Sequence, residues 1–310
     1  MESPIRPPRL RPGDRVGVVS PSGSVAGEWD RVERGIRRLE AMGLRVRLGR
    51  HVRADWHGLA GTHAERAADL NEMFADPEVR AVIATTGGAG CLPIVDRLDY
   101  AALAARPKLV LGISDVTVLL NAVHARTGLV TLHGPDVAYG FALADPGLEA
   151  HFLAVAARPE PAGPLPAWAG VDRVLRPGRA EGPLVGGNLA VLVHLAGTPY
   201  WPSLRGRILF LEGYGQRGAE VYRCLHRLRL TGDLGSVAGL VLGSWERCFE
   251  DDPDPREALR WVVLDACEGL DIPIVQIRGL GHNIANVTLP IGVRAALDEH
   301  GLRLLDPAVA

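Results

Sequence analysis

The stretch Lys108-Leu-Val-Leu-Gly-Ile-Ser-Asp-Val-Thr117 decides how the chain is read. Its apolar run is too short for a helix and closes at Gly112, and a helical pattern then runs from Asp115 to about Arg126. Strand, glycine, serine and helix start together hold a hydroxyl up on a sharp turn, beside the free N–H groups of a helix start. The motif is not Gly-x-Ser-x-Gly, because position 116 is Val. Two readings of Ser114 follow. Either it is a nucleophile, or Ser114 or Asp115 is simply the N-cap of the helix at 115–126. The first reading requires a base, a group that orients the base, and an oxyanion site elsewhere in the chain.

On either side of this stretch, short apolar runs alternate with helical patterns. Arg15-Val-Gly-Val-Val-Ser20 reads as a strand, residues 27–42 as a helix with Val32, Ile36, Leu39 and Met42 on one face, and Leu44–Leu48 as a second strand. Thr62-His-Ala-Glu65 matches a capping box for a helix ending near Ala75. Arg80–Thr85 and Gly128–His133 are further strands. Strands alternating with helices of this length predict an α/β fold with a parallel sheet covered on both faces. From Ala157 to about Gly182 the chain is rich in Pro, Gly and Ala and lacks periodicity. A second alternation follows, with strands at 207–211, 239–243 and 272–277 and a terminal hairpin around 294–305. The expected organisation is a flavodoxin- or Rossmann-like N-terminal domain over 1–156, a connector over 157–182, and a smaller C-terminal α/β domain over 183–310.

Composition narrows the function classes. The 310 residues are 47% hydrophobic and 23% charged with a net charge of -2, which gives no support to a nucleic-acid partner. The four cysteines, Cys91, Cys224, Cys248 and Cys267, have no Cys-x-x-Cys spacing, so neither zinc nor a disulfide framework is expected. The start of the chain lacks the apolar core of a secretory signal, and no apolar run reaches the roughly 20 residues of a membrane span. A cytoplasmic protein without a membrane partner is expected.

Three other stretches could supply chemistry. Thr86-Gly-Gly-Ala-Gly90 is a glycine-rich loop at the end of a parallel strand, able to bring backbone N–H groups against a ligand or to serve as a tight turn. It has neither dinucleotide nor P-loop spacing, and no cofactor is expected. His282, in Gly279-Leu-Gly-His-Asn-Ile284, lies just beyond a strand and is a candidate base. His133, His124 and His194 compete with it, His133 most seriously because it too ends a strand. Glu212 closes the apolar run Ile208–Leu211, where an acid needs a partner: an arginine in a structural bridge, or a catalytic histidine.

Taken together, the motifs resemble one family. Gly112-Ile-Ser-Asp-Val-Thr117 and Thr127-Gly-Leu-Val-Thr-Leu-His-Gly-Pro135 are similar to the nucleophile region of the LD-carboxypeptidases, serine peptidases that include the microcin C immunity peptidases. Gly186-Gly-Asn-Leu189, Gly197-Thr-Pro-Tyr200, Gly206–Glu212 and Thr288-Leu-Pro-Ile-Gly292 follow in the family's order, and the likeness covers almost the whole chain. The resemblance implies a site between the two domains with Ser114 as nucleophile, Glu212 as orienting acid and His282 as base. The backbone N–H groups of Asp115 and of the Gly87-Gly88 turn would be the oxyanion donors. It also implies a small peptide or peptide-like substrate, typically a murein tetrapeptide losing its terminal D-Ala, and a homodimer. Two features depart from the family pattern. Thr86 and Ala89 stand where an arginine and an aromatic are common, and Asn283 follows His282 where glycine is usual. The glycines that shape the loop remain, while a substrate contact is lost. Trp168 is the one aromatic in the connector suited to stacking on a base.

Overall fold

The computed structural model describes residues 4–282 and 286–310. Met1 to Ser3, and Asn283 to Ala285 within the histidine motif quoted above, lie outside the described residues. The first sheet is built from β1 (Arg15–Val19), β2 (Arg45–Leu48), β3 (Val79–Ala84), β4 (Leu109–Gly112) and β5 (Thr131–His133). These strands are parallel in the spatial order β2-β1-β3-β4-β5, which is the flavodoxin-like winding. The connecting helices are α1 (Trp29–Ala41), α2 (His63–Ala75), the short α3 (Tyr100–Ala105) and α4 (Thr117–Thr127). α1 buries Val32 and Leu39 as its 3.6-residue spacing predicts, and packs Ile36 and Met42 more loosely. The capping box at Thr62 and Glu65 forms as read. α4 is buried nearly all round, from Thr117 to His124, because it lies between the first sheet and the second. α5 (Pro146–Ala156), capped by Asp145, ends this half of the chain.

The segment at 157–182, expected as a connector, carries two strands, β6 (Gly163–Pro164) and β7 (Val171–Arg176). Both are short edge elements whose partners are about a hundred residues or more away, so local periodicity carries little trace of them. They join β8 (Ala180–Asn188), β9 (Ile208–Tyr214), β10 (Gly239–Glu246) and β11 (Ile274–Ile277) in the second sheet. The intervening helices are the one-turn α6 (Leu189–Leu192), then α7 (Gly218–Leu230) and α8 (Pro255–Ala266). β12 (Leu289–Ile291) leaves this sheet and pairs antiparallel with β5 at the edge of the first, a position that tolerates Pro290. β13 (Arg294–Asp298) and β14 (Gly301–Leu304) form the terminal hairpin and return to the second sheet beside β8. The chain therefore crosses from one sheet to the other and back.

The second sheet is apolar on both faces. Ile208, Phe210, Val241 and Val275 point into the same buried cluster as the first sheet. Their neighbours Leu209, Leu211, Leu240, Leu242 and Ile274 point the other way, into a cluster with Val221 and Leu225 of α7 and Leu259 and Val263 of α8. One hydrophobic cluster thus runs through both halves of the molecule. No helix among the described residues is long and apolar enough to cross a membrane. Phe210 is fully buried in the shared cluster, with its ring edge-on to His133 at 5.3 Å between centroids. Phe210→Ala should lower stability by about 3–5 kcal/mol. Denaturant unfolding followed by far-UV and tryptophan signals should show one transition, shifted for both halves together.

Candidate active site

The loops that follow β1, β3, β4 and β5 meet at the carboxyl end of the first sheet, the edge at which open α/β sheets bind ligands. Ser114 stands at the end of β4 with φ of 61°, a left-handed conformation that costs a serine about 1–2 kcal/mol. A short 3-10 turn over Ser114–Val116 leads into α4. Neither Ser114 nor Asp115 caps that helix, so the capping reading falls. The side chain of Asp115 turns inward instead. Its Oδ2 accepts hydrogen bonds from Ser22 Oγ at 2.6 Å and from Cys91 N–H at 2.7 Å. Ser22 Oγ in turn accepts from Gly90 N–H at 2.9 Å. A single buried carboxylate thus ties the loops after β1 and β3 to the serine turn.

Gly87 fits this arrangement because it has no side chain. A Cβ there would lie 2.5 Å from Ser114 Cβ and 2.8 Å from Ser114 Oγ. Gly88, at φ of 140°, backs onto Ser22 and Gly23 in the same way. Among the described residues, no acceptor takes the N–H of Gly88 or of Asp115.

The second sheet faces this edge with its own strand ends. Glu212, on β9, has no exposed side-chain surface, and its Oε2 accepts from His282 Nδ1 at 2.6 Å. Of the two partners left open for it, histidine is the one present. Donation from Nδ1 fixes the tautomer and leaves Nε2 with its lone pair. Gly281 lets the loop close: a Cβ there would stand 2.9 Å from the Glu212 carboxylate and 2.7 Å from Ser244 Oγ. Asn286 Oδ1 holds Gly281 N–H at 3.0 Å, and the Tyr214 ring stacks on the imidazole with centroids 4.8 Å apart. Burial pulls the His282 pKa down, but the charge and hydrogen bond of Glu212, with Asp136 and Glu246 further off, leave it above 6.5.

Ser114, Gly88, His282, Asp136 and Tyr214 line one cleft of about 580 Å³. Ser114 Oγ and His282 Nε2 share the cleft without a hydrogen bond between them. Such contacts are often loose until a substrate is bound. The competing histidines lie elsewhere. His133 is fully buried, with both ring nitrogens unpartnered among the described residues, and burial pulls it down to about 4. His124, in the last turn of α4, has Nδ1 paired with Leu129 O and Nε2 with Arg207, and His194 is an exposed residue of a 3-10 turn. Trp168 packs against Gly279 and lines a second cleft of about 700 Å³ that shares His282 with the first. Asp136 had no signal in the sequence beyond its place three residues after His133.

Residues 16–134 match the model of the LD-carboxypeptidase N-terminal domain, and residues 181–297 that of its C-terminal domain. The chain belongs to the LD-carboxypeptidase family. A Streptomyces coelicolor member is 40% identical over 313 residues, spanning 99% of this chain and 97% of its own. The murein tetrapeptide carboxypeptidase of Pseudomonas aeruginosa is 33% identical over 307 residues, spanning 93% and 94%. Among solved structures, the wild-type apo form of the microcin C7 self-immunity protein MccF, a protein known from Escherichia coli, matches with a TM-score of 0.90 at 26% identity. That match spans 99% of this chain and all of the other. Two sheets, with a parallel N-terminal one, are the fold of this family.

The tie at Asp115 yields a prediction. Asp115→Ala strands the buried Cys91 N–H and frees Ser22, and should cost about 2–3 kcal/mol. Thermal melting with and without a serine-directed covalent inhibitor should show both the loss of stability and a slower rate of labelling.

Proposed function

We propose that the chain is a serine hydrolase that cleaves an amide bond next to a free carboxylate, with Ser114 as nucleophile, His282 as base and Glu212 as orienting acid. The observation that carries this is the meeting, in one cleft, of a serine on a left-handed turn and a histidine whose Nδ1 is held by a buried carboxylate. As Ser114 Oγ attacks the amide carbon, His282 Nε2 takes its proton. The oxyanion forms within reach of the Asp115 and Gly88 N–H groups, of which each such donor is worth about 10²–10³ in rate. The C–N bond then breaks, and the leaving amine takes the proton from His282. Water, deprotonated by the same nitrogen, releases the acyl group and restores Ser114. The named relatives make a murein peptide that loses a terminal D-Ala the first substrate to test.

A second reading within the family, hydrolysis of a peptidyl-nucleotide of the kind implied by the MccF complexes, is favoured by Trp168. Its indole lines a cleft that includes His282, where a base could stack on it. A cytoplasmic location fits the buried free thiols of Cys91, Cys248 and Cys267, and a homodimer rests on family likeness alone. Sedimentation of the purified protein tests the latter.

Ser114→Ala should keep the fold and abolish both fluorophosphonate labelling and turnover of murein tetrapeptide. Full activity in a folded Ser114→Ala protein would sink the mechanism. The pH profile is a separate test. The base works when neutral, so kcat/KM should fall as pH drops through a value above 6.5. Glu212→Gln removes the charge that lifts His282, so the rate should drop and the acid limb should move to lower pH. An unmoved limb would assign the ionisation to another group.

A further inference from the structure

A third cleft, of about 920 Å³, takes no part in the mechanism. It opens at the other end of the elements that carry the active site. α4 begins beside the Ser114 turn and ends at Thr127, which lines this cleft. β9 carries Glu212 and is entered directly from Arg207, which lines it too. Both halves of the chain form its walls, Arg6 and Arg126 from the first, Arg207 and Arg294 from the second.

The charge of the lining is one-sided. The four arginines face two carboxylates, Glu181 and Asp306, an excess of two positive charges. Glu181 is already paired with Arg294 at 3.2 Å. Arg6, Arg126 and Arg207 form no ion pair among the described residues. Arg207 instead donates from Nη1 to His124 Nε2 at 2.8 Å. That imidazole is neutral: its Nδ1 donates to Leu129 O, and burial with the Arg207 charge pushes its pKa down to about 4. A neutral acceptor satisfies one N–H without cancelling the guanidinium charge. The Nε atoms of Arg6 and Arg207 are buried with no partner among the described residues. Burial alone acts on the Arg207 pKa, and pulls it down. Partly buried cations gathered in this way are costly until an anion meets them. Planar guanidinium forks match the paired oxygens of a phosphate group.

We propose that this cleft is a binding site for a phosphomonoester dianion, its phosphate held by Arg6, Arg126 and Arg207. The excess of two positive charges suits a dianion, and the volume leaves room for an organic group beside the phosphate. Ile5, 38% exposed, and Trp201 offer that group apolar surface. A ligand so held joins the end of α4 to the start of β9 and fastens the two halves of the chain. The site is separate from the hydrolase reading and stands without it.

Phenyl phosphate is the probe, titrated calorimetrically into the wild-type protein at about pH 8 and low salt. It should bind with a Kd of about 1 mM or below, and more weakly as ionic strength rises. Arg207→Lys keeps the charge but loses the fork, and should weaken binding about tenfold. Arg126 is exposed, so Arg126→Gln leaves the core alone and should weaken binding about three- to tenfold. His282→Ala, in the active-site cleft, should leave the affinity unchanged. At about a hundredfold excess over Kd, the melting temperature should rise by about 4 °C. Binding that both arginine variants retain in full, or that His282→Ala abolishes, would overturn the proposal. So would the absence of both heat and a melting shift. Inorganic phosphate should bind about fivefold more weakly, because it buries no apolar group. Equal affinity would overturn the ester assignment in favour of free phosphate.

Discussion

Glu212 is a carboxylate with no exposed side-chain surface, and much of the site follows from the need to meet it. It sits on a strand whose preceding residues are locked on both faces, Ile208 and Phe210 into one cluster and Leu209 and Leu211 into the other. The strand cannot tilt to bring the acid to water. A buried charge is tolerated only when partnered. The loop after β11 provides the partner by folding back at Gly281, where a side chain would collide with the carboxylate. His282 thereby acquires its orientation and its tautomer from a requirement of folding. Glu212 Oε1, Ser244 Oγ, Asn286 Nδ2 and both His133 nitrogens are among the buried polar atoms left without a partner among the described residues.

The serine turn follows the same logic with a different acid. Asp115, next to Ser114, is turned away from His282 by its own hydrogen bonds, both on Oδ2 and both to loops of the first sheet. Those bonds draw the Gly87-Gly88 segment against Ser114, where only glycine fits. Strain at φ of 61° is thus held in place by contacts from two other strand ends. The two buried acids divide the site, Glu212 holding His282 and Asp115 anchoring the turn at Ser114.

Among the described residues, Asp136 is the one acid lining the cleft with Ser114 and His282. Thr86 and Asp136 both line it, and the Asp136 carboxyl is fixed by the Tyr139 and Gly140 N–H groups. The polarity offered to a substrate is therefore set by two positions on loops, while the sheets that carry them keep the family's winding.

Local pattern made the first half of the fold legible. Apolar runs of four to six residues, glycine breaks and the Thr62–Glu65 box correspond to β1 to β5 and to α2 within a residue or three at each end. β6, β7 and β12 were illegible because their pairing is decided by partners far along the chain and their own runs are short and broken by proline or charge. For the site, ordered motifs named Ser114, Glu212 and His282, yet residue type alone left His133 and His282 as rivals. Only the packed structure separates them, since one imidazole is sealed against Phe210 and the other faces the cleft. Sequence determined which strands exist, which turns need glycine and which side chains are capable of chemistry. Tertiary structure decided which of those side chains meet, and it brought in Asp136, because burial and placement in the cleft depend on every neighbour at once.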